Sequence, residues 1–430
     1  MAANDTRRPP SALDSIDLDE WNAGRDATER ARAQRRAERA RQRAVRDVPP
    51  RRDGGLLTTA SGRALAGGAA VLALLTVVGL VALWPSGVRG GPQQAFGGPT
   101  LSAKVTATRT VRCPGPTAER CRQISVRVSN GDRAALDLGP VQATPSLERG
   151  DRVRVQRSDP RAPERYAFAD VDRHAPMLWL VVALALAAAV VARWRGVLAL
   201  VGVVLSVGLV VAFLVPAILA GSDPVLVSLV AALAVMFVTL LMTYGPGAQS
   251  LAAALGIGLS LLLAAVVGHV VVGTAHLDGR TGELPVSQLG VSLQGVVLAG
   301  MVVGALGVLT DMAVSQASAV TALRSANPEL GPRGLYRGAF AVGRDHLAAT
   351  IHTLVLAYVG AALPLILVLR DTHVGLTDAL NGQIVAEPVV ATLVGAIALV
   401  AAVPVTTGLA AMLVARVPPT ALDGHHGHAH

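Results

Sequence analysis

Eight long apolar runs dominate the pattern of hydrophobic and polar positions along the chain. Each run has about the 20 residues that an α-helix needs to cross roughly 30 Å of hydrocarbon. The pattern therefore predicts an all-α polytopic membrane protein with about eight transmembrane helices. The predicted spans are Ala64 to Trp84, Pro176 to Ala192, Val197 to Leu219, Val225 to Thr243, Leu251 to Gly273, Val291 to Leu309, Leu347 to Leu369 and Val389 to Ala415.

A polar segment with a different period separates the first run from the second. The stretches KVTATRTV, ISVRVS and RVRVQRS alternate apolar and polar residues, as half-buried strands do. Asn130-Gly131 and Gly150-Asp151 are turn sequences between these stretches. We therefore expect a small extracytoplasmic β-rich domain over residues 85–175, inserted between helices 1 and 2.

The only two cysteines, Cys113 and Cys121, lie in this segment. A structural zinc site usually takes four ligands, so two cysteines favour a local disulfide over a metal site. A disulfide persists in an oxidising compartment, which requires the β-rich domain to lie outside the cytoplasm.

The distribution of basic residues along the chain is typical of a membrane protein rather than of a nucleic-acid-binding protein. The net charge is +9, but Lys104 is the only lysine, and arginines crowd the first 53 residues and the ends of the apolar runs. The positive-inside rule then places both termini in the cytoplasm of a bacterial cell, with the chain in the inner membrane. We expect the lipid bilayer, and no nucleic acid, as a partner.

The segments outside the β-rich domain have distinct compositions. Residues 1–63 are predicted to be a disordered basic cytoplasmic tail. Residues 64–84 form the first transmembrane helix, residues 176–416 a seven-helix transmembrane domain, and residues 417–430 a His-rich cytoplasmic tail. The closing DGHHGHAH would bind a transition metal only weakly, because a mobile tail holds its ligands poorly.

Polar residues concentrate around the sixth and seventh apolar runs. Asp311 stands at the end of the sixth run, and Ser315 and Ser318 follow it at spacings that share one helix face. An ionised carboxylate at membrane depth is costly and is usually functional. The alternative is that Asp311 sits at the cytoplasmic interface.

A second polar group lies at the start of the seventh run. Arg344 and Asp345 precede it, and His352, Thr353 and Tyr358 lie within it. A snorkelling Arg and a helix-capping Asp would explain the first two equally well. We predict that Asp311, Arg344 and Asp345 form one coupled site at the cytoplasmic ends of the two helices, because a guanidinium can pair with a carboxylate through two hydrogen bonds.

Two central stretches resemble the YibE/F family of bacterial multi-pass membrane proteins. They are LGVLTDMAVSQASAVTALRSANPEL, from Leu306 to Leu330, and VGRDHLAATIHTLVLAYVGAALPL, from Val342 to Leu365. The resemblance implies that the family's polar motif residues are Asp311, Ser315, Ser318, Asn327, Arg344, Asp345, Thr353 and Tyr358. His352 departs from the family pattern, which has Asn there. The resemblance does not indicate a substrate.

Two functions remain open after this reading. The sequence lacks the His-Glu-x-x-His, Gly-x-Ser-x-Gly and phosphate-loop motifs, so we expect no enzymatic activity, no cofactor and no metal site. The first hypothesis is a permease or transporter-like protein for a small solute or ion, with a path lined by the sixth to eighth spans. The second is a non-transporting membrane scaffold or accessory protein whose external domain binds an envelope partner. The sequence does not indicate an oligomeric state.

Overall fold

The computed structural model describes residues 60–85, 100–113, 119–159, 162–279, 291–371 and 375–417. The two predicted cytoplasmic tails, apart from residues 60–63 and 417, lie outside the described residues. In chain order the helices are α1 (Ala60–Ala82), α2 (His174–Leu209), α3 (Val215–Leu219), α4 (Pro224–Tyr244), α5 (Ala248–Thr274), α6 (Leu293–Ala326), α7 (Pro332–Asp371), α8 (Leu376–Asn381) and α9 (Gln383–Val414). A π-helical turn, Val210–Leu214, joins α2 to α3.

Within the described residues, eight helical segments are long and apolar enough to cross a membrane. Two of them, His174–Trp194 and Gly196–Leu219, follow one another across a break at Arg193, where φ is 52° and ψ is −134°. A Cβ at Gly196 would collide with the backbone carbonyl of Ala188, so this break requires glycine. The prediction of a polytopic helical protein with about eight spans is confirmed.

Local sequence explains where several helices begin. The Asp223 side chain accepts a hydrogen bond of 2.8 Å from the N–H of Leu226, and Pro224 takes the first helical position of α4. Ser292 caps α6 in the same way, with its Oγ 3.1 Å from the N–H of Gly295. These caps place polar groups at the helix ends, where they satisfy N–H groups that lack a partner within the helix.

The sixth and seventh spans are much longer than the apolar runs that predicted them. α6 has 34 residues and α7 has 40, which at 1.5 Å per residue is about 50 and 60 Å. Both lengths exceed the roughly 30 Å of hydrocarbon. The polar stretch between the two runs is therefore mostly helical, and only residues 327–331 connect α6 to α7.

A five-stranded antiparallel sheet lies between α1 and α2 in the chain. Its strands are β1 (Leu101–Arg112), β2 (Arg120–Val128), β3 (Arg133–Pro140), β4 (Arg152–Asp159) and β5 (Ala162–Val171), in the spatial order β3-β2-β1-β4-β5. Alternate residues of these strands, among them Val105, Ile124, Val126, Val153 and Val155, form a separate buried core. The period-two pattern thus correctly predicted a small β-rich unit.

Two contacts close the sheet at its ends. Cys113 and Cys121 form the predicted disulfide, with an S–S distance of 2.06 Å, across the ends of β1 and β2. At the other side, Tyr166 of β5 donates a hydrogen bond of 2.6 Å from its hydroxyl to the carboxylate of Asp132, and the Asn130 amide donates one of 2.8 Å to the same hydroxyl. The outer strand β5 is thereby tied to the turn before β3.

Small residues dominate the interior of the helical bundle. α9 packs against α5, α6 and α7, and α4 packs against α6. A Cβ at Gly256 would lie 2.9 Å from the Thr406 Cβ, and one at Gly268 would lie 2.6 Å from a methyl group of Leu298. Glycine at these two positions lets neighbouring helices approach closely, as is common where helices pack within a membrane.

Candidate functional site

In the structure, Asp311 of α6 lies close to α7. The residue of α7 that it approaches is His346, which the predicted site did not include. Among the described residues, His346 lies within ion-pair distance of Asp311, with its Nε2 3.8 Å from Oδ2 of Asp311. The two side chains are 65% and 44% exposed. An exposed pair of this kind contributes little to stability.

Arg344 and Asp345 lie two residues and one residue before His346 on α7, and both are exposed. Among the described residues, neither forms an ion pair within 4.0 Å of Asp311. The predicted three-residue coupling therefore stays a prediction. The contact that does occur at this level joins Asp311 to His346.

The remaining predicted residues point to several different places. Ser318 accepts a hydrogen bond of 2.6 Å from Nε2 of Gln249 on α5, and Ser315 is half-buried. Asn327 ends α6, and its Oδ1 accepts a hydrogen bond of 3.2 Å from the N–H of Glu329. Ser318 thus joins α6 to α5 and Asn327 stabilises the turn after α6, and none of the three residues lines the cavity described below.

Two polar residues in the second half of α7 are satisfied within their own helix. Nδ1 of His352 lies 2.7 Å from the carbonyl of Ala348, and the Thr353 hydroxyl donates to the carbonyl of Ala349 at 2.7 Å. Both side chains are exposed. Such backbone hydrogen bonds make polar side chains tolerable at a lipid-facing position.

Tyr358 differs from the other predicted residues because it lines a cavity. The cavity has a volume of about 400 Å³ and lies between the second half of α7, the short α8 and the first half of α9. A Cβ at Gly304 would lie 3.4 Å from the Tyr358 hydroxyl, so this ring reaches towards α6. Tyr358 therefore lies between the cavity and α6.

The rest of the cavity wall is almost entirely apolar. The lining side chains are Val355, Tyr358, Val359, Ala362, Ile366, Leu369, Ala379, Leu380, Val385, Pro388, Val389, Thr392 and Leu393. The Thr392 hydroxyl donates a hydrogen bond of 2.7 Å to the carbonyl of Pro388, which satisfies it within α9. The volume is in the range of small-molecule sites, and the lining suits an apolar or amphipathic molecule rather than a hydrated ion.

Sequence reasoning missed a buried polar contact at the centre of the bundle. Gln316 of α6 is 1% exposed, and its Oε1 accepts a hydrogen bond of 2.9 Å from the hydroxyl of Thr407 on α9. Gly343 of α7 lies directly against this amide, since a Cβ there would be 2.5 Å from Nε2 of Gln316. Gln316 lies between Ser315 and Ser318 in the same polar stretch. The sequence prediction selected charged and hydroxyl residues there and did not include the uncharged amide.

Arg324 supports the end of the bundle that carries the α6–α7 turn. It is 9% exposed, and its guanidinium donates to the carbonyls of Pro328, Leu330 (3.1 Å) and Ala415 (3.2 Å). These carbonyls belong to the turn after α6 and to the end of α9. The arginine therefore joins the ends of two helices whose last carbonyls lack partners within the helix.

Comparison with known proteins gives one match. A family model described as "YibE/F-like protein" matches residues 180–416, more than half of the chain. Among curated proteins and solved structures, nothing matches. The matched range begins in the first half of α2 and contains the whole of α4 to α9, and therefore both Asp311 and the cavity.

Proposed function

The chain belongs to the YibE/F family, and on that premise we propose that it is a permease-like protein that binds a small apolar or amphipathic solute in the cavity between α7, α8 and α9. The single observation that carries this proposal is the cavity of about 400 Å³, which is lined by apolar side chains and by Tyr358. No catalytic step, cofactor or metal enters this function.

The same proposal includes a membrane arrangement. The eight spans are even in number, so both termini lie on one side of the membrane, and the arginine-rich connections favour the cytoplasm of a bacterial cell. The Cys113–Cys121 disulfide supports an external sheet domain, because disulfides form and persist in oxidising compartments. The membrane would then be the inner membrane.

A scaffold function is the second candidate, and the packing of the bundle favours it. The largest buried core, formed by α4, α5, α6, α7 and α9, is filled by alanine, valine and leucine side chains. A dry interior of this kind suits a rigid anchor. The external domain would then bind an envelope partner.

A cavity-filling substitution distinguishes the two functions. Ala362 lines the cavity and Ala361 does not. Solutes of cells that lack the protein and cells that overproduce it are first compared, and the affected solute is followed in variants. We expect Ala362→Trp to reduce the solute difference about tenfold or more, because an indole would occupy the binding volume. Ala361→Trp, in the same helix turn but outside the cavity wall, should retain it.

The scaffold function predicts a different result for the same experiment. If Ala362→Trp inserts normally and leaves the solute difference unchanged, the cavity does not carry the function. A complete lack of any solute difference between the two cell types would favour the anchor over the permease.

A further inference from the structure

Four basic residues stand side by side across the external sheet. Arg133 of β3 is the registered partner of Arg127 of β2, which in turn is opposite Lys104 of β1. Lys104 is also opposite Arg152 of β4. With a strand separation of about 4.8 Å, this basic row is about 14 Å long.

All four side chains project from the outer face of the sheet. Each is exposed, whereas neighbouring residues such as Ala103, Val126 and Val153 are buried in the core. Because side chains alternate between the two faces of a strand, registered partners lie on the same face. The basic row is therefore one continuous cationic strip.

The carboxylates near the basic row are engaged elsewhere. Asp132, beside Arg133, accepts hydrogen bonds from Tyr166 and Asn130. Asp172 pairs with His174 at 2.6 Å, and Asp151 accepts from the N–H of Glu148 at 2.7 Å. These bonds lower the pKa of Asp132, chiefly through Tyr166, and that of Asp172, chiefly through the His174 backbone N–H.

Like charges directly opposite one another destabilise a sheet. The basic row contains three such pairs in succession, and among the described residues no salt bridge within 4.0 Å reaches any of its members. Its four cations thus repel one another, and the carboxylates nearest to them, Asp132 and Asp172, accept hydrogen bonds from other groups. An anion supplied from outside would remove that repulsion.

The basic row also lies where the chain enters the membrane. The Asp172 N–H donates to the Arg152 carbonyl at 2.9 Å, so the backbone at this end of the row is bonded to the segment that follows β5. His174, two residues later, begins α2, whose first 21 residues have the length and hydropathy of a membrane span. One end of the cationic strip is therefore within a few residues of the lipid surface.

We propose that the basic row binds the phosphate groups of anionic lipids at the membrane surface from which α2 emerges. Guanidinium groups bind phosphate oxygens through two parallel hydrogen bonds, and cations close to a membrane are attracted to anionic headgroups. The position next to α2 favours a lipid surface over a soluble polyanion. This inference is independent of the solute cavity, which lies in another part of the chain.

Lipid titration of the full-length chain tests the proposal. The detergent-purified protein is mixed with phosphatidylglycerol or phosphatidylcholine, and bound lipids are counted by native mass spectrometry. The row variant replaces Lys104, Arg127, Arg133 and Arg152 with Gln. The control variant replaces four exposed arginines away from the row with Gln: Arg109, Arg112, Arg120 and Arg149.

We expect the row variant to bind phosphatidylglycerol about tenfold more weakly than the wild type, and the control variant to bind it as the wild type does. Phosphatidylcholine binding should be equal in all three proteins. Thermal unfolding and the intact disulfide verify folding, and single Lys104→Gln serves as a milder variant with a smaller loss.

Three results would overturn the proposal. The row variant could bind phosphatidylglycerol as the wild type does, or the control variant could lose as much affinity. A third possibility is that polyphosphate, which has no acyl chains, separates the wild type from the row variant while phosphatidylglycerol does not. The partner would then be a soluble polyanion.

Discussion

At the residue scale, the contact between α7 and α6 depends on the absence of a side chain at Gly343. Gln316 is almost fully buried and is held by Thr407 through a hydrogen bond of 2.9 Å. Its amide cannot move aside without losing that bond. An added methyl group at position 343 would therefore force the helices apart or break a buried polar contact.

We predict that Gly343→Ala lowers the free energy of unfolding by about 1–3 kcal/mol. Alanine is the better helix former by roughly 1 kcal/mol, so helix propensity alone would predict a more stable protein. A loss of stability would therefore report the steric contact with Gln316. Gly360→Ala is the matched control in the same helix, since a Cβ there meets no heavy atom within 4 Å. It should be neutral or stabilising. Thermal unfolding in detergent measures both, and equal midpoints for the two variants would contradict the packing described.

At the element scale, hydropathy located the spans but not the ends of the helices. The sixth apolar run was predicted to end at Leu309, whereas α6 continues to Ala326. The additional residues are rich in Ala, Ser, Thr and Gln, which helices accept and a hydrocarbon-based reading treats as connection. Apolar runs indicate where lipid surrounds a helix. They carry no information on how far that helix extends into water.

The candidate site was predictable to a lesser degree than the fold. Sequence placed Asp311 and the start of the seventh span at one depth, and the structure does bring α6 and α7 together there. The choice between Arg344, Asp345 and His346 as the partner depends on helix rotation, which spacing alone does not fix. Likewise, nothing in the sequence indicates that Gly343 would face Gln316, since they belong to different helices.

Substitutions on α6 and α7 test whether His346 or Asp345 is the functional partner of Asp311. Under the permease function we expect Asp311→Asn to reduce transport to background while leaving membrane insertion intact; a scaffold would change little. His346→Gln should reproduce the loss if the 3.8 Å contact with Asp311 is used. Asp345→Asn, which removes the same charge as Asp311→Asn but lies one residue before His346, should then retain transport. Loss in Asp345→Asn together with normal activity in His346→Gln would instead favour the coupling predicted from sequence.

At the scale of the whole molecule, the eight candidate spans of the described residues and one disulfide support the proposed topology. An even number of crossings returns the chain to its starting side, and the sheet domain follows the first crossing. The disulfide favours the oxidising side of the membrane for that domain. These two observations agree with the arginine distribution, although they rest on different physical effects.

Reporter fusions test this topology. Fusions after Arg195, Arg280, Arg344 and Arg416 should report inside, outside, inside and inside. Arg280 lies outside the described residues, so its fusion rests on the sequence alone. The fusion after Arg344 is the most demanding, because an external reporter there would place the arginines of the α6–α7 hairpin on the wrong side.

The basic row also determines which part of the protein reacts with amine-directed reagents. Lys104, at its centre, is the only lysine in the sequence. Apart from the N-terminal amine, every amine-reactive cross-linker, fixative or dye will therefore label only this one strip of the five-stranded sheet, and such reagents will not label the helical bundle. A partner captured through a lysine-directed cross-link will identify a neighbour of the row, whereas contacts of the bundle will require carboxylate-directed or photoreactive chemistry.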